Sequence, residues 1–263
     1  MSQNPNVAGL DPQDLANEME RFGVAEDQVV RDHAISHVLA AISRGELAGR
    51  LTFFGGTALS RTHLVSARLS EDIDLIANES RWKACELIEQ SIEAALLGTH
   101  GRVTWNPPFT KASDVTPANM EIAGRIVVRL QVLDSDRYPS WPVEVREIEQ
   151  RYRDAPPAIL QVPTIDSFAG SKTAAWLDRA APRDLYDLWA LAEQGSLTSE
   201  AAELFARCGP TGRPPRSFMF RKAPTAQAWE SQLAGQTRLR VTADKALEVV
   251  RSAWEAAVGS EWK

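Results

Sequence analysis

The stretch from Leu51 to Ile76, LTFFGGTALSRTHLVSARLSEDIDLI, constrains the chain more than any other. Leu51, Phe53 and Phe54 form a short β-prone run, and Gly55-Gly56 can take positive φ angles and allow close backbone approach. Thr57 is expected to cap a helix through Ala58, Leu59 and His63 to about Val65. The amides of Gly56, Thr57 and Ala58 would then point at whatever lies above the turn, a place suited to a phosphate. A second strand opens with Asp72 and Asp74, which at i and i+2 share one face, roughly 6.5 to 7 Å apart at Cα for a rise of about 3.3 Å per residue. Two carboxylates at that spacing can share divalent cations, and two cations about 3.5 to 4 Å apart activate an attacking hydroxyl while neutralising a leaving phosphate. Hard ions, Mg²⁺ or Mn²⁺, suit such oxygen ligands. The chemistry implied is nucleotidyl transfer.

The combination carries the signal. With 35 acidic residues in 263, acid-x-acid pairs arise by chance on the order of five times, so the aspartate pair alone says little. A strand, a diglycine, a Thr-led helix and then Arg-x-Ser-Glu-Asp-x-Asp-Leu within one unit is far rarer. The competing reading of the same stretch is a Gly-Gly hairpin followed by an exposed acidic strand.

The chain is long enough for one large domain or two ordinary ones, and an apolar content of 44% provides a core. No apolar run approaches the length of a membrane span, and the polar start MSQNPNVAGLDPQDLANEMERFG has no basic or hydrophobic leader, so neither membrane nor secretion is expected. Cys85 and Cys208 are isolated, which fits a reducing cytoplasm better than a disulfide framework or zinc site. A net charge of −6 and a pI near 5.4 argue against indiscriminate nucleic-acid coating.

Residues 1 to about 10 read as a loose tail, and Pro12 starts a helix at Asp11. Asp27 to Ser43 reads as a helix with one core-facing side that includes His33 and His37. These two lie four apart, and with no third ligand in view packing or capping explains them better than metal. After the central unit, Ser80 begins a helix that carries Trp82, Ile88, Ile92, Ala95 and Leu96 to Leu97. Residues 98–119 hold one strand and an irregular loop. Glu121 to Asp134 and Trp141 to Ile148 are expected to form a hairpin, in which Glu144, flanked by Val143 and Val145, is either a third metal carboxylate or part of a solvent face. Gln131 is a weaker candidate for the same pocket. Prolines 156, 157 and 163 interrupt the chain, and Thr164 to Gln194 turns helical, with Lys172 on one helix and Arg183, Asp184 and Asp187 opening another. The alternative reading is that these acids serve the helix N-terminus and one another. Further helices are expected over 198–207, 225–235 and 242–258. They surround the loop CGPTGRPPRSFMFRK, whose Arg213, Arg216, Arg221 and Lys222 alternate with Phe218 and Phe220, either to hold and stack nucleotides or as a solvated surface.

Taken together, Phe54-Gly55-Gly56-Thr57-Ala58-Leu59, Arg68-Leu69-Ser70-Glu71-Asp72-Ile73-Asp74-Leu75, Val143-Glu144-Val145-Arg146-Glu147, Lys172 and Arg183-Asp184-Leu185-Tyr186-Asp187-Leu188 resemble the AbiEii/AbiGii-type nucleotidyltransferase toxins of the DNA polymerase β superfamily, in order from about residue 30 to 195. The resemblance implies an α+β protein: a polymerase β-like nucleotidyltransferase domain with a mixed sheet, over 1–163, followed by a helical C-terminal domain, 164–263, that closes the cleft. It implies that Asp72 and Asp74 hold the metals, with Glu144 a weaker third carboxylate, and that Gly55, Gly56 and Thr57 cradle the triphosphate. Arg68 would neutralise phosphate or orient its loop. Lys172, with Asp187 or Asp184, would act from the helical domain. Members transfer nucleotides from NTPs, some to tRNA ends, under the control of an antitoxin in toxin–antitoxin or phage-defence pairs.

The leading expectation is thus a Mg²⁺-dependent nucleotidyltransferase toxin that joins NMP to an RNA acceptor, a tRNA 3′ end. A small-molecule adenylyltransferase acting on aminoglycoside-like cations, and a non-catalytic nucleotide-binding protein, are the alternatives. The absence of a Gly-x4-Gly-Lys-Ser/Thr motif disfavours a P-loop kinase, and an EF-hand is excluded at Asp72, where the loop lacks its required glycine and closing glutamate.

Overall fold

A computed structural model describes residues 9–44, 47–114 and 116–263; the expected tail over residues 1–10 lies, as far as residue 8, outside the described residues. The chain divides into two compact units, Met1–Tyr138 with Val145–Val162, and Pro139–Glu144 with Pro163–Lys263.

In the first unit, helix α1 (Pro12–Phe22) has Pro12 in its first turn, where no amide donor is needed, and the Asp11 carboxylate accepts from the Gln13 amide at 2.7 Å. Helix α2 spans Glu26–Ile42. One core-facing side was expected, yet every residue from Asp32 to Ile42 is buried. The helix threads the interior, and Asp32, His33, Ser36 and His37, which a wet face would have hydrated, take protein partners instead.

Strand β1 (Leu51–Phe54) runs into helix α3 (Gly55–Ser60), followed by strand β2 (Asp72–Ala77) and helix α4 (Arg81–Leu96). The helix expected to start at Thr57 and reach Val65 instead starts at Gly55 and stops at Ser60. Thr57 is inside it, and its hydroxyl donates to the Asp72 carbonyl, which ties α3 to β2. Along α4, Ala84, Cys85, Ile88, Ile92 and Leu96 are buried, but Trp82, expected among them, is 60% exposed.

The remaining strands are β3 (Val103–Asn106), β4 (Ala118–Ile122), β5 (Ile126–Asp134), β6 (Val143–Ile148) and β7 (Ala158–Pro163), in a seven-stranded mixed sheet of order β3-β4-β5-β2-β1-β7-β6. β2 is antiparallel to β1 and parallel to β5. Two expectations are corrected here. Glu121 to Asp134 is not one strand: a reversal at Ala123 and Gly124, with φ of 52° and 68°, makes β4 and β5 a hairpin. The 141–148 strand does not pair with it but occupies the far edge beside β7. Burial explains the outcome. β5 buries Val128, Leu130 and Val132 on one face and takes a central position, whereas β6 buries only Ile148, leaves Val143 and Val145 exposed, and lies at the edge. β7 was hidden by its flanking prolines and pairs parallel to β1 at Thr52↔Gln161.

In the second unit, helices α5 (Ile165–Arg179), α6 (Pro182–Glu193), α7 (Ser199–Cys208), α8 (Ala226–Leu233) and α9 (Ala243–Val258) pack together, with α6 against α5, α8 and α9. Thr164, Thr198, Thr225 and Thr242 each cap a helix by accepting from the amide three residues on. In the 208–222 loop Phe220 is buried and stacks on Trp176 and Trp262, while Phe218 stays half exposed with the Arg221 guanidinium 6.0 Å over its ring. Cys85 and Cys208 are free thiols.

A buried ionic hub fixes the end of α3. Arg61, the residue after that helix, is fully buried; its Nη2 lies 2.8 Å from Asp32 Oδ1, and its Nη1 donates to Ser36 Oγ at 2.7 Å and to the Glu149 carbonyl at 2.8 Å. Arg151 Nη1 reaches both Asp32 oxygens at 3.1 and 3.2 Å and its Nη2 donates to the Ser60 carbonyl at 2.7 Å. Tyr152 donates its hydroxyl to Asp32 Oδ2 at 2.9 Å. Burial pushes the Asp32 carboxyl upward, but Arg151 and Arg61 outweigh it and hold the group below the usual carboxylate range.

Asp32→Asn leaves two buried guanidiniums without their anion, and a loss of about 3 to 5 kcal/mol in chemical denaturation is expected; a change under about 1 kcal/mol would remove the hub from the account. Because the folded pKa of Asp32 is depressed, its contribution is fully present above the unfolded carboxylate value of about 3.9 and disappears as pH falls through the folded value. Stability followed against pH should therefore hold level above about pH 5 and drop below about pH 4.

Candidate active site

The first unit brings together most of the residues singled out between Gly55 and Asp74. Asp72 and Asp74 alternate with the fully buried Ile73 and Leu75, so both acids project from the other face of β2, half-buried. In register, Asp74 lies opposite Phe54 on β1 and Gln131 on β5, and Asp72 lies opposite Arg129. Gly55 has φ 78°, and a side chain there would run into the Asp74 carboxylate. The glycine is thus needed twice over, for its backbone angle and for the approach of the acid. A Cβ on Gly56 would lie 2.8 Å from Arg68 Nη2 and 3.2 Å from Ser70 Oγ. Arg68 is buried and donates to the Leu69 carbonyl at 3.0 Å. The diglycine backbone is therefore flanked by a carboxylate on one residue and a guanidinium on the next. That pairing of charges suits a metal-bound polyphosphate.

Thr57 lies in the same turn, buried, with its hydroxyl directed to the Asp72 carbonyl. Arg129 Nη2 donates to Asp72 Oδ2 at 2.6 Å; Arg129 is half exposed and Asp72 less so. Gln131 donates from Nε2 to the Asp114 carbonyl at 2.7 Å, and Arg137 Nη1 pairs with the Asp114 carboxylate at 2.8 Å. Sequence reasoning missed Arg129. The signal was available in the alternation of Arg129 and Gln131 with Val128, Leu130 and Val132, which places both polar side chains on one face of β5. Glu144 sits half-buried on the edge strand β6, in the segment that belongs to the second unit.

Within the second unit, α5 and α6 assemble the remaining predicted residues. Lys172 and Arg179 stand seven apart on α5 and Asp184 and Asp187 three apart on α6, so each pair shares a helix face. Lys172 Nζ lies 2.7 Å from Asp187 Oδ2 and 3.3 Å from Asp184 Oδ1, and Arg179 grips Asp184 at 2.6 and 2.9 Å. Lys172, Asp184 and Asp187 are all buried, whereas Arg179 is 60% exposed. Burial pushes the Asp184 carboxyl upward, and Lys172 and Arg179 together bring it below its ordinary range. Two cations against two anions make the cluster neutral. Arg183 beside it is only partly buried.

Comparison with known proteins follows the same lines. A model of the nucleotidyl transferase AbiEii toxin family, type IV toxin–antitoxin system, matches residues 37–257. A search of curated proteins gives no match. Among solved structures, MenT4, a nucleotidyltransferase toxin from Mycobacterium tuberculosis H37Rv, superposes with a TM-score of 0.70 at 22% identity, over 95% of this chain and 90% of that one. That likeness speaks to the fold: a nucleotidyltransferase-type mixed sheet followed by a helical region. No helix among the described residues is long and apolar enough to cross a membrane. Since the family model covers most of its length, the chain belongs to the AbiEii nucleotidyltransferase toxins of type IV toxin–antitoxin systems.

Proposed function

We propose that the protein transfers a nucleoside monophosphate from an NTP to the 3′ end of an RNA, a tRNA, with release of pyrophosphate, and that a cognate antitoxin opposes it in the cytoplasm. The observation that carries this reading is the placement of Asp72 and Asp74 on one face of β2 with the Asp74 carboxylate against Gly55.

The donor set fits a hard divalent cation, Mg²⁺ or Mn²⁺. Two half-buried carboxylates share a face, and the adjoining residue has no Cβ to obstruct a ligand. Asp72 and Asp74 would hold the ion, which when bound supplies Lewis-acid activation of the acceptor hydroxyl and charge neutralisation at the leaving phosphate. The acceptor 3′ oxygen forms a bond to the α-phosphorus, the bond from that phosphorus to the bridging oxygen of the β-phosphate breaks, and the hydroxyl proton is lost. The amides of Gly55, Gly56 and Thr57 orient the triphosphate, and the buried Arg68 guanidinium offsets its charge. Release of Arg129 from Asp72 would open Oδ2 as well as Oδ1 to a cation, and the half-exposed guanidinium would then be available to an RNA phosphate. On the helical unit, Lys172 is assigned to the triphosphate, with Asp187 and Asp184 holding the ammonium in place. Glu144 is assigned to the activation of the attacking hydroxyl.

Transfer of label from α-labelled NTPs to total tRNA is the direct assay, run beside a panel of aminoglycosides that would reveal a small-molecule acceptor instead. Asp74→Ala should fold normally and lose more than about a hundredfold in transfer, since several kcal/mol of charge stabilisation goes with the acid; undiminished transfer would overturn the assignment. Gly55→Ala forces a side chain into the left-handed region at a cost of about 1 to 2 kcal/mol and displaces Asp74. A misplacement of about 1 Å can lower turnover on the order of a hundredfold, which single-turnover kinetics on the folded variant would register. Lys172→Met should raise the NTP concentration needed for half-maximal rate, and an unchanged NTP dependence would return that lysine to a purely structural role.

A further inference from the structure

The sequence placed His33 and His37 one turn apart on α2 with no third ligand, and the fold supplies one. Of the four histidines in the chain, three meet: His33, His37 and His100, all buried, offer ligand nitrogens that lie within 4.8 Å of one another. His100 arrives from the turn after α4, 63 residues beyond His37. Asp154, from the segment after β6, closes the group. Its Oδ2 lies 3.0 Å from His33 Nε2 and 3.2 Å from His37 Nε2, and His100 Nε2 lies 3.2 Å from His33 Nδ1.

We propose that His33, His37, His100 and Asp154 form a structural zinc site. Three imidazoles and one carboxylate are the four donors of a closed tetrahedral shell, and imidazole-rich sets favour Zn²⁺ over hard cations. Tetrahedral zinc at about 2.0 to 2.1 Å from nitrogen places its ligand nitrogens roughly 3.3 to 3.5 Å apart, so small rotations of side chains already within 4.8 Å complete the geometry. The surroundings are those of a metal site. The other His100 nitrogen, Nδ1, is 2.9 Å from Thr99 Oγ1, which fixes the ring and directs Nε2 inward. The Tyr152 ring stands edge-on to His33 with centroids 4.9 Å apart, and its hydroxyl is held by Asp32. Asp154 is 29% exposed in its side chain, which gives the ion a route from solvent.

With four protein donors no position remains for water, so the ion is a clamp rather than a catalyst. It would tie α2 to the turn after α4 and to the 149–157 segment, whose Arg151 and Tyr152 belong to the Asp32 hub.

The test uses the full chain stripped with a chelator, then titrated with zinc alone against a chromophoric competitor in excess Mg²⁺, which occupies the carboxylate pair on β2. One zinc per chain is expected in the wild type, with affinity lowered at least about tenfold in His37→Gln and in His100→Gln, and a zinc-dependent rise in melting temperature that both variants lose. Absence of stoichiometric zinc, or unchanged affinity in variants that remain folded, would overturn the site. Should either variant fail to fold, cobalt loading of the wild type decides: the intense visible bands of tetrahedral cobalt support the site, and a weak octahedral spectrum or none refutes it.

Discussion

The geometry of the proposed active site depends on a charge that never meets water. Asp32, buried in the middle of α2, holds two guanidiniums, and through Arg61 and the Ser60 carbonyl it fixes the C-terminal end of α3. α3 is only six residues long and its first residue is Gly55. A helix that short has little stability of its own, so its orientation must be imposed by tertiary contacts. The hub holds one end and the Thr57 hydroxyl, bonded to the Asp72 carbonyl, holds the middle. With both restraints in place, the diglycine turn and the acid pair on β2 keep a constant relation, which is the preorganisation that electrostatic catalysis requires.

The two units distribute opposite kinds of chemistry. The sheet unit presents oxygen ligands and open backbone, whereas the helical unit presents a lysine already neutralised by two aspartates. Asp184 and Asp187 compensate the charge of the buried lysine at the expense of tying it down. Asp184 is also shared with Arg179, and Asp187, at 2.7 Å, is the nearer of the two acids to Lys172. The acidic overall balance of the chain does not oppose the proposed RNA acceptor, because binding is decided by local charge. Arg129 and Arg137 are well exposed on the sheet unit.

What could be read in the sequence followed from local rules. The alternation Asp-Ile-Asp-Leu has one meaning in a strand, and the helices that begin at Pro12 and Pro182 are announced by their prolines, the first also by its Asp11 cap. What could not be read depended on pairing partners chosen by burial. Residues 121–134 show no glycine–proline break strong enough to announce the reversal at Ala123-Gly124. β7 lies between prolines that normally mark loops, yet as a partner to β1 it needs few of its own amides at those ends. Trp82 kept the helical spacing of a core residue but stands where no neighbour covers it. The face that Arg129 takes on β5 was legible in the alternation, but its place opposite Asp72, like that of His100 beside His33, came only with strand register and chain reversal.

The claim on which the rest depends is that Asp72 and Asp74 jointly hold a divalent ion beside the diglycine turn. Anomalous diffraction from crystals grown with Mn²⁺ and a non-hydrolysable NTP measures this directly. The expected result is an anomalous peak about 2.0 to 2.3 Å from oxygens of both carboxylates, with the triphosphate seated over Gly55 and Gly56 and Arg129 released from Asp72. Manganese bound elsewhere, with the Arg129–Asp72 pair intact and the nucleotide remote from the glycines, would contradict it.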